Sequence, residues 1–468
     1  MKNFNDDSQE AIINSFIEDK IERRKHIFNL VKLIINMKGN QVLAINGSWG
    51  SGKTFFVKQF ELLVNILNNY DDSGELINEE LRTNNLACLK NLTDEQISNI
   101  NRSIKNVAYD YRTSFAENPT NCLYFNAWEY DNINEPILSL IYKIINDFPY
   151  LITRCEETKF KTITGLIDFV SNGLSHGILK ASDYSEAQNL LEDIITSEEI
   201  KTKINEIFNE LLKENSNKMV IIVDELDRCR PTYAIKLIEQ IKHFINNENI
   251  LVILSTNIHQ LSCTLRNMYG YGFAIEEYLD KIIDMTISLP PIDIKKYFET
   301  ISLESTMQSS NWFSDVLLHY INYRNLEMRS INRYLSTMGV FENHIYLKRR
   351  RSGGEIRILE YVFLPYCIGE QIFNSENYNN FIMGNGFEEF YKYIDSSQEM
   401  KEIVERCIYS STKIEQRNMQ TDMKTLYEII YKKTNNVTSV NIGNISIGIE
   451  EIKYFYELCT MLSDFTIE

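Results

Sequence analysis

The chain has 468 residues, 44 % hydrophobic and 24 % charged, which suits two or three globular domains and excludes a disordered or low-complexity polypeptide. Its net charge of -17 argues against long sequence-independent contact with nucleic acid, which needs a basic face. Eight scattered cysteines without a CxxC pair, and six histidines without HExxH, exclude the usual zinc and disulfide frameworks and point to free thiols in a reducing cytoplasm.

The first twenty residues are acidic and lack the apolar stretch of a signal peptide. Residues 1–40 read as lead-in helices, because Ile21–Met37 carries apolar residues at helical spacing. Gln41–Ile45 is a short buried strand, and Phe55–Leu67 is helical again. Between them stands Gly47-Ser48-Trp49-Gly50-Ser51-Gly52-Lys53-Thr54, which fits G-x-x-x-x-G-K-[ST] at every position. The glycines let successive backbone N–H groups face an anion, and the following helix adds its positive end. In this pattern Lys53 reaches the β- and γ-phosphates, and the Thr54 hydroxyl ligates Mg²⁺.

Residues 71–120 are polar and read as surface helices and loops; Asn121–Trp128 is a second strand. The stretch 131–217 is predicted as a helical insertion. Within it ITGLIDFVSNGLSHGILKA comes nearest to a membrane span, but Asp168, Asn172 and His176 break it, so no transmembrane segment is expected. Lys218–Val223 is a strand that delivers Asp224 and Glu225 at its tip. There Asp224 holds Mg²⁺ through water, and Glu225 polarises an attacking water as general base. A helix from Pro231, a strand over Ile250–Leu254 and a fifth over Met285–Leu289 complete an α/β alternation that implies a parallel sheet.

Asn257 ends the strand after Asp224-Glu225, where it either senses the γ-phosphate or the water, or caps a loop. Pro290-Pro291 marks the boundary, giving a nucleotide-binding core over 41–290 and a mainly helical domain over 291–468, with a β-hairpin at 437–449 around Gly443-Asn444. Arg329 and Arg333 lie on a helix of that second domain, either as a solvated face or as cations reaching a phosphate in cis or across a subunit interface. The basic run Lys348-Arg349-Arg350-Arg351 is either a solvated loop or an anion or nucleic-acid contact.

Four motifs in order resemble the KAP family of P-loop NTPases: the loop over 47–54 with Trp49 before its central glycine, Tyr124-Phe125-Asn126-Ala127-Trp128-Glu129-Tyr130, Asp224-Glu225-Leu226-Asp227-Arg228-Cys229, and Tyr278-Leu279-Asp280-Lys281-Ile282-Ile283 followed by Leu289-Pro290. The resemblance covers about residues 20–340. It implies a bacterial, STAND-like member of the additional-strand, catalytic-glutamate class, with an extra strand between the phosphate-loop strand and the Asp224 strand. It also implies ATP as the nucleotide, a role as a regulated switch and a part in phage exclusion. Together with the Mg²⁺ site read above and the lack of a second catalytic constellation beyond residue 290, the expectation is an ATP- and Mg²⁺-dependent switch ATPase that forms homo-oligomers and passes its output to an effector or sensor protein. Carried over by position, Lys53, Thr54 and Asp224 hold nucleotide and metal, Glu225 takes the second acidic position, and Asn126 contacts Glu225 to keep it inactive. The family's transmembrane helices have no counterpart here, and its usual aspartate is Asn257. The rival readings are a non-hydrolysing ATP-gated scaffold, a nucleic-acid-stimulated motor and, more remotely, a small-molecule kinase.

Overall fold

The computed structural model describes residues 8–19, 21–37, 40–68, 93–133, 135–148, scattered positions between 205 and 212, 218–245, 247–304, 311–349, 357–409, 418–431, 439–443 and 445–461. Two compact units divide the chain, Asn5–Ile292 and Asp293–Glu468.

In the first unit five strands, β1 (Gln41–Asn46), β2 (Thr120–Asn126), β3 (Lys218–Asp224), β4 (Ile250–Thr256) and β5 (Met285–Ser288), pair in parallel in the order β2-β3-β4-β1-β5. The runs QVLAI, KMVIIV and ILVIL are Val/Ile/Leu-rich without alternation because helices cover both faces of such a sheet. β4 is buried along its whole length. It lies between β1 and β3, which is the extra-strand arrangement of the catalytic-glutamate class. Register brings the carboxyl ends level: Asn46 pairs with Thr256, Asp224 with Ser255, and Asn126 with Asp224. Loops leaving that common edge are where an open α/β sheet places its ligand.

Helices α1 (Gln9–Glu18) and α2 (Arg24–Asn36) precede β1 and bury Phe16, Ile27 and Val31 in the core. Helix α3 (Lys53–Leu67) follows the phosphate-type loop, α4 (Asp94–Glu117) precedes β2, and α5 (Pro136–Asp147) follows it. Beyond β3 come α6 (Pro231–Phe244), α7 (Ile258–Tyr269) and α8 (Ile275–Asp280). The strand expected to reach Trp128 stops at Asn126. The Asn126 side chain accepts the Trp128 N–H at 3.2 Å, and Ala127–Tyr130 wind into a 3₁₀ turn.

Being at the sheet's edge, β2 has outward N–H and C=O groups that need partners. Helix α3 supplies them from side chains. Asn65 exchanges two hydrogen bonds with the Cys122 backbone, at 3.0 and 3.1 Å. Asn68 accepts from Thr120 N at 2.9 Å and donates to Thr120 O. Glu61 accepts from Tyr124 N at 3.0 Å. A rise of about 1.5 Å per helical residue separates positions 61, 65 and 68 by about 6 and about 4.5 Å, against about 6.6 Å between alternate strand residues, and the side chains span the difference. Asn65 is only 1 % exposed and Glu61 7 %. Burial pushes the Glu61 carboxyl up to about 8.

The second unit is helical, with helices such as Asn311–Tyr323, Met328–Arg349, Leu364–Phe373 and Gln398–Tyr409, and a π-helical turn over Leu359–Phe363. Tyr297, Tyr320, Tyr334, Tyr366, Tyr393 and Tyr427 are fully buried in it. Fully buried Glu370 accepts from Tyr320 Oη at 3.0 Å and from Arg324 Nε at 2.9 Å, so its charge is paired. Strands Ser439–Ile442 and Ile445–Gly448 pair antiparallel, with Gly443 at φ 57° in the turn. The side chains of the basic run over 348–351, the segment over 163–181 and most of the insertion over 131–217 lie outside the described residues. Among the described residues no helix is long and apolar enough to cross a membrane, and the six cysteines there are free.

Replacing Asn65 by Ala strands a buried N–H and C=O on the sheet edge and is expected to cost about 2–4 kcal/mol of stability. Asn68→Ala, at a half-buried position, is expected to cost less. Guanidinium denaturation of both variants measures this, and a loss below about 1 kcal/mol for Asn65→Ala would refute the bracing role.

Candidate functional site

The loop between β1 and α3 is shaped by its small residues. Gly50 and Gly52 take φ 83° and 86°, the left-handed region that side chains resist. A Cβ on Gly47 would stand 2.8 Å from Ser51 Oγ. Ser51 closes the curl, its N and Oγ both donating to Ser48 O at 3.3 and 2.8 Å. Lys53 folds back over the loop, with Nζ donating to Gly47 O at 2.7 Å and Ser48 O at 3.1 Å. Burial lowers its titration, opposed by the nearby charges of Asp227, Asp224 and Glu225. An arriving phosphate would take the ammonium from those neutral carbonyls, a favourable exchange of partner.

Opposite the loop, β3 ends in four residues carrying three carboxylates, each differently engaged. Asp224 is 1 % exposed; its Oδ2 accepts from Tyr124 Oη at 3.0 Å, while buried Oδ1 finds no hydrogen-bond partner among the described residues. Glu225 sits at φ 59°, a left-handed conformation that costs a non-glycine residue about 1–3 kcal/mol and recurs at functional sites. Its carboxylate pairs with Arg228 Nε at 2.7 Å and accepts from Thr54 Oγ1 at 3.4 Å. Burial, then the charge of Asp224, raises its pKa, and Arg228 and Lys53 oppose the shift. Asp227 joins the two halves of the site: Oδ2 accepts from the Trp49 indole N–H, and Oδ1 accepts from Thr256 Oγ1 at 3.1 Å.

The structure therefore brings Gly47–Thr54, Asp224 and Glu225 together. Asn257 stands at the end of β4, where its Oδ1 accepts from Gln260 N at 3.2 Å, so the loop cap is filled. Asn126 does not bond Glu225: its Nδ2 donates to Glu129 at 2.7 Å, and Arg228 takes the place expected of it. Arg329 and Arg333 are exposed on a helix of the second unit.

Four contributors went unread in the sequence. Arg23, 3 % exposed, donates to Ser51 O at 2.8 Å and Pro290 O at 2.7 Å, tying the loop to the end of the unit. Tyr124 and Asp227 hold their partners as above, and the Arg228 guanidinium lies 5.7 Å from the ring centroid of exposed Trp128. Tyr124, Asp227 and Arg228 lie inside the quoted family motifs, and that was the only available signal.

The arrangement can hold a polyphosphate on backbone N–H groups and a lysine, beside hard oxygen donors. A Thr hydroxyl and a buried carboxylate oxygen lacking a partner fit Mg²⁺, which takes one or two protein oxygens and leaves the rest to phosphate and water. Such a cation would neutralise the phosphates; Thr54 and Asp224 would be the residues to hold it.

Residues 23–345 match the KAP family P-loop domain. No curated protein matches the chain in sequence. Among solved structures, the chain is similar to the ORC2 protein of Aeropyrum pernix in its ADPNP–ADP complexes, with 10 % identity, 94 % of either chain covered and a TM-score of 0.35, a likeness too loose to carry any argument.

Asp227→Ala removes the tie between the loop and β4. Nucleotide affinity read by isothermal titration is expected to fall about tenfold with the fold intact. An unchanged affinity would show that Trp49 and Thr256 position the loop without it.

Proposed function

The chain belongs to the KAP family of P-loop NTPases, and from that premise we propose that it binds ATP with Mg²⁺ and hydrolyses it as a regulated switch. The observation that carries the reading is the convergence at one sheet edge. Thr54 Oγ1, on the phosphate-binding side, stands 3.4 Å from Oε1 of Glu225, a carboxylate that small-molecule P-loop kinases do not need because their nucleophile comes from the substrate.

In this reading the loop N–H groups of Gly47–Thr54 and Lys53 hold the phosphates, and Thr54 and Asp224 face the metal. Glu225 takes the proton of the attacking water as general base. Its pKa, raised first by burial and then by the charge of Asp224, makes it a stronger base than an ordinary exposed carboxylate. Asn257 stands one strand away at the position of a γ-phosphate sensor, with its oxygen committed to the cap and its amide left to donate. Arg329, exposed on its helix, is the candidate cation for the phosphate of another copy.

The switch reading rests on the Arg228–Glu225 pair at 2.7 Å, which holds the base in a salt bridge that must loosen before Glu225 can turn to water. Nucleotide state would then set conformation or assembly, and the helical second unit would pass it to a partner protein. The resemblance to the family adds defence against phage as the setting.

ATP turnover by the full chain, compared with Glu225→Gln and Lys53→Ala, tests the proposal. Glu225→Gln is expected to keep ATP binding and lose about a hundredfold or more in kcat, and Lys53→Ala to lose binding. Mass measurements with and without ATP report assembly. A wild-type chain that binds ATP without turning it over, alone or with DNA or RNA, would replace the proposal with a non-hydrolysing scaffold.

A further inference from the structure

Tyr124 is held from three directions. Its backbone N–H donates to Glu61 at 3.0 Å, the Lys58 ammonium lies 5.0 Å from its ring centroid, and its hydroxyl donates to Asp224 Oδ2 at 3.0 Å. On β2 it pairs with Ile222 of β3, so Tyr124 and Asp224 project from the same face of the sheet, two residues apart along the diagonal. A terminal carboxylate rotates broadly about its last torsion, and one firm donor on Oδ2 fixes which oxygen is left. The one left is Oδ1, buried and without a partner among the described residues.

We propose that Tyr124 is a positioning residue that turns the Asp224 carboxylate so that Oδ1 alone serves the divalent cation, and that it thereby sets cation affinity. This rests on the assignment of Asp224 to the metal side of the site. Tyr124 also borders a cavity of about 250 Å³ on the β2 side, shared with Lys58, Glu61 and Lys143, so a smaller side chain there meets space and not a clash. The same helix that carries Lys53 and Thr54 thus braces, through Glu61 and Lys58, the residue that orients the opposing carboxylate.

The test uses the full chain, with Mn²⁺ as the probe read by electron paramagnetic resonance in the presence of a non-hydrolysable ATP analogue. Nucleotide affinity is measured separately in EDTA. Tyr124→Phe is expected to weaken Mn²⁺ binding about tenfold or more, as loss of an outer-shell partner does, with EDTA nucleotide affinity unchanged. The double variant with Asp224→Asn is expected to bind Mn²⁺ no more weakly than Asp224→Asn alone, because Tyr124 acts only through that carboxylate. Should the phenylalanine variant fail to hold nucleotide, Tyr124→Leu gives the same readout. Wild-type Mn²⁺ affinity in Tyr124→Phe, or additive losses in the double variant, would overturn the inference while leaving Asp224 in place. If Asp224→Asn also binds Mn²⁺ like wild type, the metal assignment of Asp224 falls and the inference falls with it.

Discussion

Every part of the site depends on one helix being anchored at both ends of its job. Helix α3 starts at Lys53, on the phosphate-binding curl, and further along it closes the open edge of β2 through Glu61, Asn65 and Asn68. Leaving those strand groups unpaired inside the protein would cost about 1–3 kcal/mol each. Burying the Asn65 amide and the Glu61 carboxyl is itself unfavourable, and only the matching hydrogen bonds offset it. Glu61 shows the balance directly: burial drives it up to about 8, so near neutrality it sits largely protonated, and no full charge is stranded against the sheet. The register of β2 against α3 is thereby fixed, and with it the height at which Tyr124 and Asn126 meet the end of β3.

The acidic turn after β3 then becomes intelligible as three carboxylates sorted by environment. Asp224, Glu225 and Asp227 lie within four residues, and their mutual repulsion would be severe if all faced one space. Instead Asp224 is buried against a phenol, Glu225 is paired with a guanidinium at the surface of the turn, and Asp227 is shared between an indole and a threonine. Environment gives chemically identical groups separate tasks, as it does in enzymes that run acid and base chemistry from paired carboxylates. The left-handed backbone at Glu225 serves this sorting, because it swings that side chain away from the line of β3 and back toward Thr54.

Much of this was readable from one sequence because its signals are local. Unbroken Val/Ile/Leu runs marked the strands, and the glycine spacing before Lys53 marked the curl. What stayed hidden are contacts that no periodicity encodes. Trp49 and Asp227 are 178 positions apart, Tyr124 and Asp224 are 100 apart, and Arg23 reaches Pro290 across 267. Asn65 and Asn68 read as unremarkable polar residues in a helix, since their meaning depends on an edge strand that arrives more than fifty residues later. The end of β2 was misplaced because Ala127 and Trp128 look like strand residues, whereas the Asn126 side chain captures the next turn's N–H. At Asn257 the chain offered two readings, and the cap it makes satisfies one without removing the amide hydrogens the other needs.

The restraint on Glu225 has a further consequence for how such a switch would operate. A restraint from Asn126 would join two strands, and releasing it would require the strand ends to part. The one observed is local instead: Arg228 lies three residues from Glu225 within one turn, and its guanidinium is also spread over the exposed face of Trp128. A partly exposed salt bridge of this kind is weak, worth about 1 kcal/mol or less, and the cation–π contact adds a comparable amount. An anion that competes for Arg228 would, on the proposed reading, free the carboxylate without disturbing the sheet. On the proposed reading the sensitive point of the switch is the rim of the site, where Trp49 and Trp128 stand about half exposed, and the β-sheet beneath acts only as the rigid frame that keeps Asp224 and the loop in register.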